Sequence, residues 1–265
     1  MEVQVLLSPF EKIIMKCIFI TVRTGSSRLP NKSTLDLCGK SSIEWLIENM
    51  KTSKSADRII LCTTCRVEDD ILCDLAVKHE IQYFRGSSED KLSRWLGACE
   101  KFNVDFFVNV DGDDLFFDID LADRVIDQWT PRGDYVDFID GHGLYNDVYG
   151  ITKRALEEVC RIKGTDDTEY IRPYFTETDR FEVEPPKGLP EKYLKTDARM
   201  TLDYPDDLAF FEEVIHGLGS SPLTLDNVLH LLEIRPEVKK INNHLENEWK
   251  ENQEKIKRLV LKDEE

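Results

Sequence analysis

Ten consecutive residues, Arg23-Thr-Gly-Ser-Ser-Arg-Leu-Pro-Asn-Lys32, carry the densest chemistry in this sequence. Three fixed cations (Arg23, Arg28 and Lys32) surround one glycine, Gly25, and two hydroxyls, Ser26 and Ser27. Guanidinium groups fork onto phosphate oxygens in pairs, and an ammonium acts as a point charge. Gly25 can take φ > 0 and let the backbone approach an anion closely. The stretch therefore reads as a phosphate cradle. It is not a Walker A loop, because no second glycine precedes Lys32 and Pro30 interrupts the spacing. An ordinary basic surface loop is the competing reading. It fits less well in a chain with 35 basic against 52 acidic residues and a net charge of −17. An acidic protein that keeps a local cationic pocket is suited to a small polyanion, and its overall charge argues against nucleic acid or an anionic membrane as partner.

Carboxylates that answer these cations occur twice. Asp111-Gly-Asp-Asp114 places three acids in four residues, with Gly112 allowing a sharp turn. Mg²⁺ is a hard cation commonly held by one or two carboxylates together with substrate phosphates. Asp and Gly are also favoured turn residues, so this turn alone would carry no site. The second signal is Asp203, which closes the apolar run Met200–Leu202. If that run is a strand beside the one ending at Val110, Asp113 and Asp203 share one ion, with Asp111 a third candidate ligand. Asp206 and Asp207 are more simply first-turn acids favoured by a helix dipole.

Apolar periodicity supplies the elements that must position these groups. Cys17–Val22, Arg58–Thr64, Ile81–Arg85 and Asp105–Val110 read as buried strands. Helical stripes alternate with them. The first opens at the capping-box spacing Ser41 to Glu44, the second includes Ile71, Leu72, Leu75 and Ala76, the third starts near Ser88, and the fourth includes Leu121, Val125, Ile126 and Trp129. This alternation means an α/β fold: a mostly parallel central sheet with helices on both faces. Ligands of such sheets sit beyond the carboxyl ends of the strands, so the segments after Val22, Thr64, Phe84 and Val110 point at one crevice. Further on, Tyr135–Ile139 and Tyr145–Thr152 read as strands and Arg154–Arg161 as a helix. Residues 163–199 read as an excursion over the sheet edge, Met200–Asp203 as a last core strand, and 206–218 and 225–233 as helices. From Glu237 a charged helix carries Ile241, Leu245, Trp249, Ile256 and Leu259, either to pack on its own domain or to meet a partner.

Seven cysteines lie mostly in apolar patterns, and Cys62-Thr-Thr-Cys65 has no second pair at zinc spacing, so reduced thiols and a cytoplasmic setting are expected. No run reaches transmembrane length. Residues 1–15 read as an extension, with Met15 an alternative start.

At this point the sequence resembles the nucleotide-sugar-forming cytidylyltransferases, in particular the spore-coat polysaccharide branch related to the acylneuraminate and 3-deoxy-manno-octulosonate cytidylyltransferases. The likeness rests on the Arg23–Lys32 loop and on Thr63-Thr64 with Glu68-Asp-Asp70. It also rests on Arg85-Gly-Ser-Ser-Glu-Asp90 with Leu92-Ser-Arg94, Gly112-Asp113, and Leu202-Asp203-Tyr-Pro-Asp-Asp-Leu208, and more weakly on Glu169-Tyr-Ile-Arg-Pro-Tyr174. It covers about residues 16–215, leaves the tail unmatched, and implies a GT-A-like Rossmann-type domain; the chain divides into a nucleotidyltransferase domain over 16–220, with 130–199 as acceptor and dimerisation region, and a C-terminal helical segment over 221–265. It also implies CTP as substrate, Mg²⁺, a small anionic sugar-like acceptor and a homodimer. By that likeness Arg23, Arg28 and Lys32 hold the triphosphate, Asp113 and Asp203 the metal, Thr63 and Arg85 lie near the nucleoside, and Asp90 lines the site. Departures gather in the acceptor half. The turn is Asp111-Gly-Asp-Asp-Leu-Phe116 where a Thr-Gly-Asp-Cys-Pro-Leu-like turn is usual. Asp147 stands where relatives tend to carry a glutamate, and Thr168 and Tyr170 replace an Arg and a His. Asp147 and Glu169 are the candidate acceptor contacts. Two rival readings are a GT-A glycosyltransferase using Asp111-Gly-Asp113 as its DxD, and a nucleotide-binding scaffold without turnover.

Overall fold

A computed structural model of the chain describes residues 14–130, 133, 135–137, 148–184, 187, 198–256 and 259–262. Strand β1 (Lys16–Thr21) leads through the cationic loop to a small hairpin, β2 (Asp36–Leu37) and β3 (Lys40–Ser41), and then to helix α1 (Ser42–Met50). Three strand–helix units follow: β4 (Arg58–Thr64) with α2 (Asp70–Lys78), β5 (Gln82–Gly86) with α3 (Lys91–Phe102), and β6 (Phe106–Asp111) with α4 (Ile119–Gln128). Next come β7 (Tyr135–Asp137), β8 (Tyr149–Thr152), α5 (Lys153–Ile162), α6 (Arg172–Thr176) and β9 (Val183–Glu184). Helices α7 (Pro205–Leu218), α8 (Leu225–Ile234) and α9 (Glu246–Ile256) complete the order.

The main sheet runs β5-β4-β1-β6-β8-β7-β9. Neighbours from β5 to β6 are parallel, and β8 is antiparallel to both β6 and β7. The expected mostly parallel α/β sheet is thus present. Successive residues of β1 enter opposite faces. Ile18 and Ile20 join a cluster with α1, α4, α7 and α8, whereas Cys17 and Phe19 join one with α3, α5 and α6. Alternation at period two on a sheet covered on both sides requires this division. The order matters for the site. The chain steps from β1 out to β4 and β5, then returns to place β6 on the other side of β1. The crevice at that reversal lies between the ends of β1 and β6.

Three element expectations need correction. Met200–Leu202 is not a strand, because β8 already occupies the edge of β6 where it would have paired. It reaches the site by one bond past the strand end, Leu202 N donating to Asp113 O at 2.9 Å. The helix expected from Glu237 is broken into short 3₁₀ turns at Val238–Ile241 and Asn243–Leu245 before α9. The break falls at Asn242, whose buried side chain is bonded elsewhere in the fold. Helix α3 starts at Lys91 rather than near Ser88, because Asp90 caps it by accepting from Ser93 N at 3.1 Å.

Candidate active site

Elements around the β1–β6 reversal fix the cationic loop at both ends. Asp69, in the turn before α2, accepts Thr24 N at 2.8 Å and Thr24 Oγ1 at 2.7 Å, and also the Thr64 hydroxyl. Burial acts to raise the Asp69 pKa, yet these bonds hold it below the ordinary aspartate range. At the far end Asn31 takes a left-handed backbone (φ 56°), and the turn Lys32–Thr34 follows. Ser42 Oγ then donates to Lys32 O at 2.5 Å. Gly25 does not have the expected positive φ. A Cβ added there would meet nothing within 4 Å, so what the glycine contributes is open room at the loop surface. Ser26 Oγ accepts from Leu29 N at 3.4 Å, a bond inside the loop, and Ser27 is exposed.

Strand ends β1 and β6 finish in register, Thr21 opposite Asp111. Gly112 N donates to Thr21 O at 2.9 Å, and a Cβ on Gly112 would stand 2.7 Å from Val22 Cβ. Only a residue without a side chain lets the two segments run this close, and that closeness brings the loop against the acidic turn. Lys32 Nζ lies 2.5 Å from Asp113 Oδ2 and 2.8 Å from Asp203 Oδ1. Arg28 Nη2 donates to the same Asp203 oxygen at 2.6 Å, with its guanidinium over the Tyr204 ring. Burial acts to lower the Lys32 pKa, but Asp113 and Asp203 hold it above the ordinary lysine value. Asp203 is drawn below its usual range by Lys32 and Arg28 against the effect of burial. Asp113 is pushed up by burial, with Lys32 opposing and Asp203 reinforcing the shift.

Other expected site residues have other partners. Asp111 shares no partner with the Asp113–Asp203 pair: its Oδ1 accepts from Lys91 Nζ at 3.0 Å and from Asn109 Nδ2 at 3.2 Å. No group of three or more His, Cys, Asp or Glu among the described residues is arranged to hold a metal ion, so Asp111 as third ligand is not supported. Arg23 shares no partner with Arg28 or Lys32, donating instead to Ser88 O at 3.1 Å and pairing with Glu169. Thr63 is fully buried in β4. Arg85 braces the turn after β4, donating to Thr64 O at 2.9 Å, Arg66 O at 2.7 Å and Asp70 Oδ1 at 2.5 Å. Asp90 is buried, paired with Lys163 at 2.7 Å and bonded to Thr168 Oγ1 at 3.0 Å. Asp147 lies outside the described residues. Asp206 and Asp207 both stand in the first turn of α7 as expected; Asp206 is at the surface, whereas Asp207 is fully buried and forks onto Arg199. Neither Arg199 nor Lys91 was a sequence candidate, since a single cation without neighbours of like charge gives no pattern. Cys62 is buried and Cys65 exposed, both as free thiols.

The crevice thus presents two adjoining charge clusters. Arg28 and Lys32 face Asp113 and Asp203, while Arg23 with Glu169 and Lys91 with Asp111 occupy the side toward α3. Two carboxylates sharing one ammonium are a donor set that fits Mg²⁺, which takes oxygen ligands from one or two carboxylates and leaves the rest to phosphate and water.

A family model described as cytidylyltransferase matches residues 17–177. Among similar curated proteins, the uncharacterized protein MJ1063 of Methanocaldococcus jannaschii is 31% identical over 240 residues, covering 87% of this chain and 96% of that protein. The spore coat polysaccharide biosynthesis protein SpsF of Bacillus subtilis is 26% identical over 233 residues, covering 82% and 94%. Among solved structures, a cytidylyltransferase from Leptospira borgpetersenii superposes with a TM-score of 0.77 at 22% identity, covering 85% of this chain and 97% of that one.

Proposed function

The chain belongs to the cytidylyltransferase family, CTP-dependent nucleotidyltransferases, and from that premise we propose that it transfers CMP from CTP to an acidic sugar or similar anionic acceptor, with Mg²⁺, releasing pyrophosphate. The observation that carries the reading is the meeting of Arg28 and Lys32 with Asp113 and Asp203 at the reversal point of the sheet. In the reaction an acceptor oxygen bonds to the α-phosphorus of CTP. The bond from that phosphorus to the α–β bridging oxygen breaks, and its electron pair leaves with pyrophosphate. Alignment and charge neutralisation supply most of the acceleration in such transfers. Asp113 and Asp203 would hold Mg²⁺, whose chemistry when bound is to neutralise phosphate charge and polarise a phosphoryl oxygen. Lys32 and Arg28 then exchange their carboxylate partners for phosphate oxygens and stabilise the charge that grows on the leaving group. Arg23, beside Glu169 and Ser88 O, would serve the acceptor, its pairing with Glu169 keeping the fork oriented until an anionic group competes for it. Asp111 would tune that side through Lys91. Polysaccharide biosynthesis is the setting suggested by the SpsF relative, and a homodimer and a cytoplasmic location remain parts of the proposal. No helix of the described residues is long and apolar enough to cross a membrane.

Three cations in one loop, Arg23, Arg28 and Lys32, suit a triphosphate better than the diphosphate of a nucleotide-sugar, which favours nucleotidyl transfer over glycosyl transfer. The test is pyrophosphate release from CTP with Mg²⁺ and a panel of acidic sugars. Unaltered protein is expected to turn over, and Lys32→Ala to lose about 100-fold or more in kcat, the scale of removing one preorganised charge donor. Full activity in Lys32→Ala, or release of nucleoside diphosphate from a nucleotide-sugar instead, would contradict the reading.

A further inference from the structure

Asp203 is held from behind by residues that lie beyond the 17–177 span matched by the family model. Arg199 is 4% exposed, and its Nη2 donates to Asp203 Oδ2 at 3.4 Å, the oxygen opposite the one facing Lys32 and Arg28. Its Nε and Nη2 fork onto Asp207 at 2.8 and 3.1 Å. Asp207 Oδ2 in turn accepts the backbone N–H groups of Asp203 and Tyr204 at 2.8 and 2.9 Å, so one carboxylate fixes both the guanidinium and the peptide that carries Asp203.

The C-terminal segment closes this network. Asn242, fully buried, donates from Nδ2 to Arg199 O at 3.1 Å and to Asp207 Oδ1 at 2.9 Å. Asn243 Oδ1 accepts from Arg199 N at 3.2 Å, and Glu246 Oε2 from Arg199 Nη1 at 3.5 Å. The guanidinium lies over the rings of both Tyr204 and Trp249, 5.5 Å from each centroid. These contacts are why the tail breaks into short turns where its apolar period asks for one continuous helix.

We propose that Arg199 is a positioning residue for Asp203 and that residues 242–249 set its position, so the C-terminal segment governs how well the carboxylate pair takes a divalent cation and a triphosphate. The proposal rests on reading Asp113 and Asp203 as the metal-holding pair. Lys32 and Arg28 pull on one oxygen of Asp203; the Arg199 contact on the other oxygen resists rotation of the carboxyl group. Carboxylates that hold metals are oriented by such outer bonds, whose loss costs about 10- to 100-fold in metal affinity or activity.

The experiment is calorimetric titration of CTP into the full-length protein over a series of Mg²⁺ concentrations, read beside thermal unfolding and pyrophosphate release. The variants are Trp249→Ala and Glu246→Ala, which meet Arg199 from the tail side, and Arg199→Lys, which keeps the charge and loses the fork. At temperatures where each variant is folded, Trp249→Ala and Arg199→Lys are expected to need about 10-fold more Mg²⁺ for half-maximal CTP binding. Glu246→Ala should shift the same way by less. Folded variants whose melting temperature falls while their Mg²⁺ dependence stays unchanged would overturn the proposal and leave the tail a purely structural brace. CTP binding by the unaltered protein without any Mg²⁺ dependence would instead overturn the carboxylate-pair reading, and the proposal with it.

Discussion

Lys32 divides its charge between two carboxylates and favours the ionised form of both, yet their pKa shifts go opposite ways: burial and the neighbouring Asp203 push Asp113 up, whereas Asp203 is drawn down against burial by Lys32 together with Arg28. The four residues of this cluster were legible in the sequence because fixed charges of opposite sign followed three strand-like runs and could meet only at one end of the sheet. Thr63, Arg85 and Asp90 respectively fill a buried strand, brace a turn and cap a helix, contacts that their motifs did not announce. Arg23 and Asp111 were placed in the right crevice with the wrong companions; ion-pair partners such as Glu169 and Lys91 depend on loop paths that spacing does not encode. Gly112 gives the sharpest residue-level expectation. Gly112→Ala puts a methyl 2.7 Å from Val22 Cβ and should destabilise by about 1–3 kcal/mol, the usual cost of overpacking. Thermal or urea unfolding checks it, and a variant as stable as the parent would mean that the two strand ends can separate freely.

Element by element, caps and stripes were more legible than pairings. The Ser41–Glu44 spacing announced α1, and the capping box is present. Glu44 does more than cap. It accepts from Ser41 N at 2.9 Å and meets Lys78 Nζ at 2.5 Å and His79 Nε2 at 2.9 Å, tying α1 to α2. Burial acts to raise its pKa, but Lys78, His79 and Ser41 together hold the carboxyl well below the usual glutamate range. A depressed acid contributes stability above its unfolded pKa, about 4.3 for Glu, and loses it as pH falls from there toward the folded value. Glu44→Gln should therefore cost about 1–2 kcal/mol at pH 7, and that cost should shrink steadily below about pH 4. Urea midpoints of both proteins measured from pH 7 downward test this; a cost that grows on acidification would contradict it. The strand expected at Met200–Leu202 failed for a tertiary reason, because apolar periodicity cannot reveal that β8 already pairs with β6. The tail failed for a local one: the buried amide of Asn242 outweighs the helical stripe around it.

Across the whole molecule, the alternation of strand and helix was sufficient for the α/β class but left strand order open. Placing β1 between β4 and β6 is what turns two separate motifs into one crevice. Helix α8 and Val238 share the core cluster of Ile18 and Ile20, so the segment after residue 220 is packed into the same body as the sheet. In a chain of net charge −17, the crevice gathers Arg23, Arg28, Lys32 and Lys91 at the strand ends, each paired with a carboxylate that an incoming polyanion must displace. The most direct measurement of the central claim is a crystal structure of the protein with CTP and Mg²⁺. The expected result is a metal ion bonded to Asp113 and Asp203, with Lys32 and Arg28 turned from those carboxylates onto the phosphates. A triphosphate bound elsewhere, or a Lys32 still bridging Asp113 and Asp203 beside bound nucleotide, would contradict it.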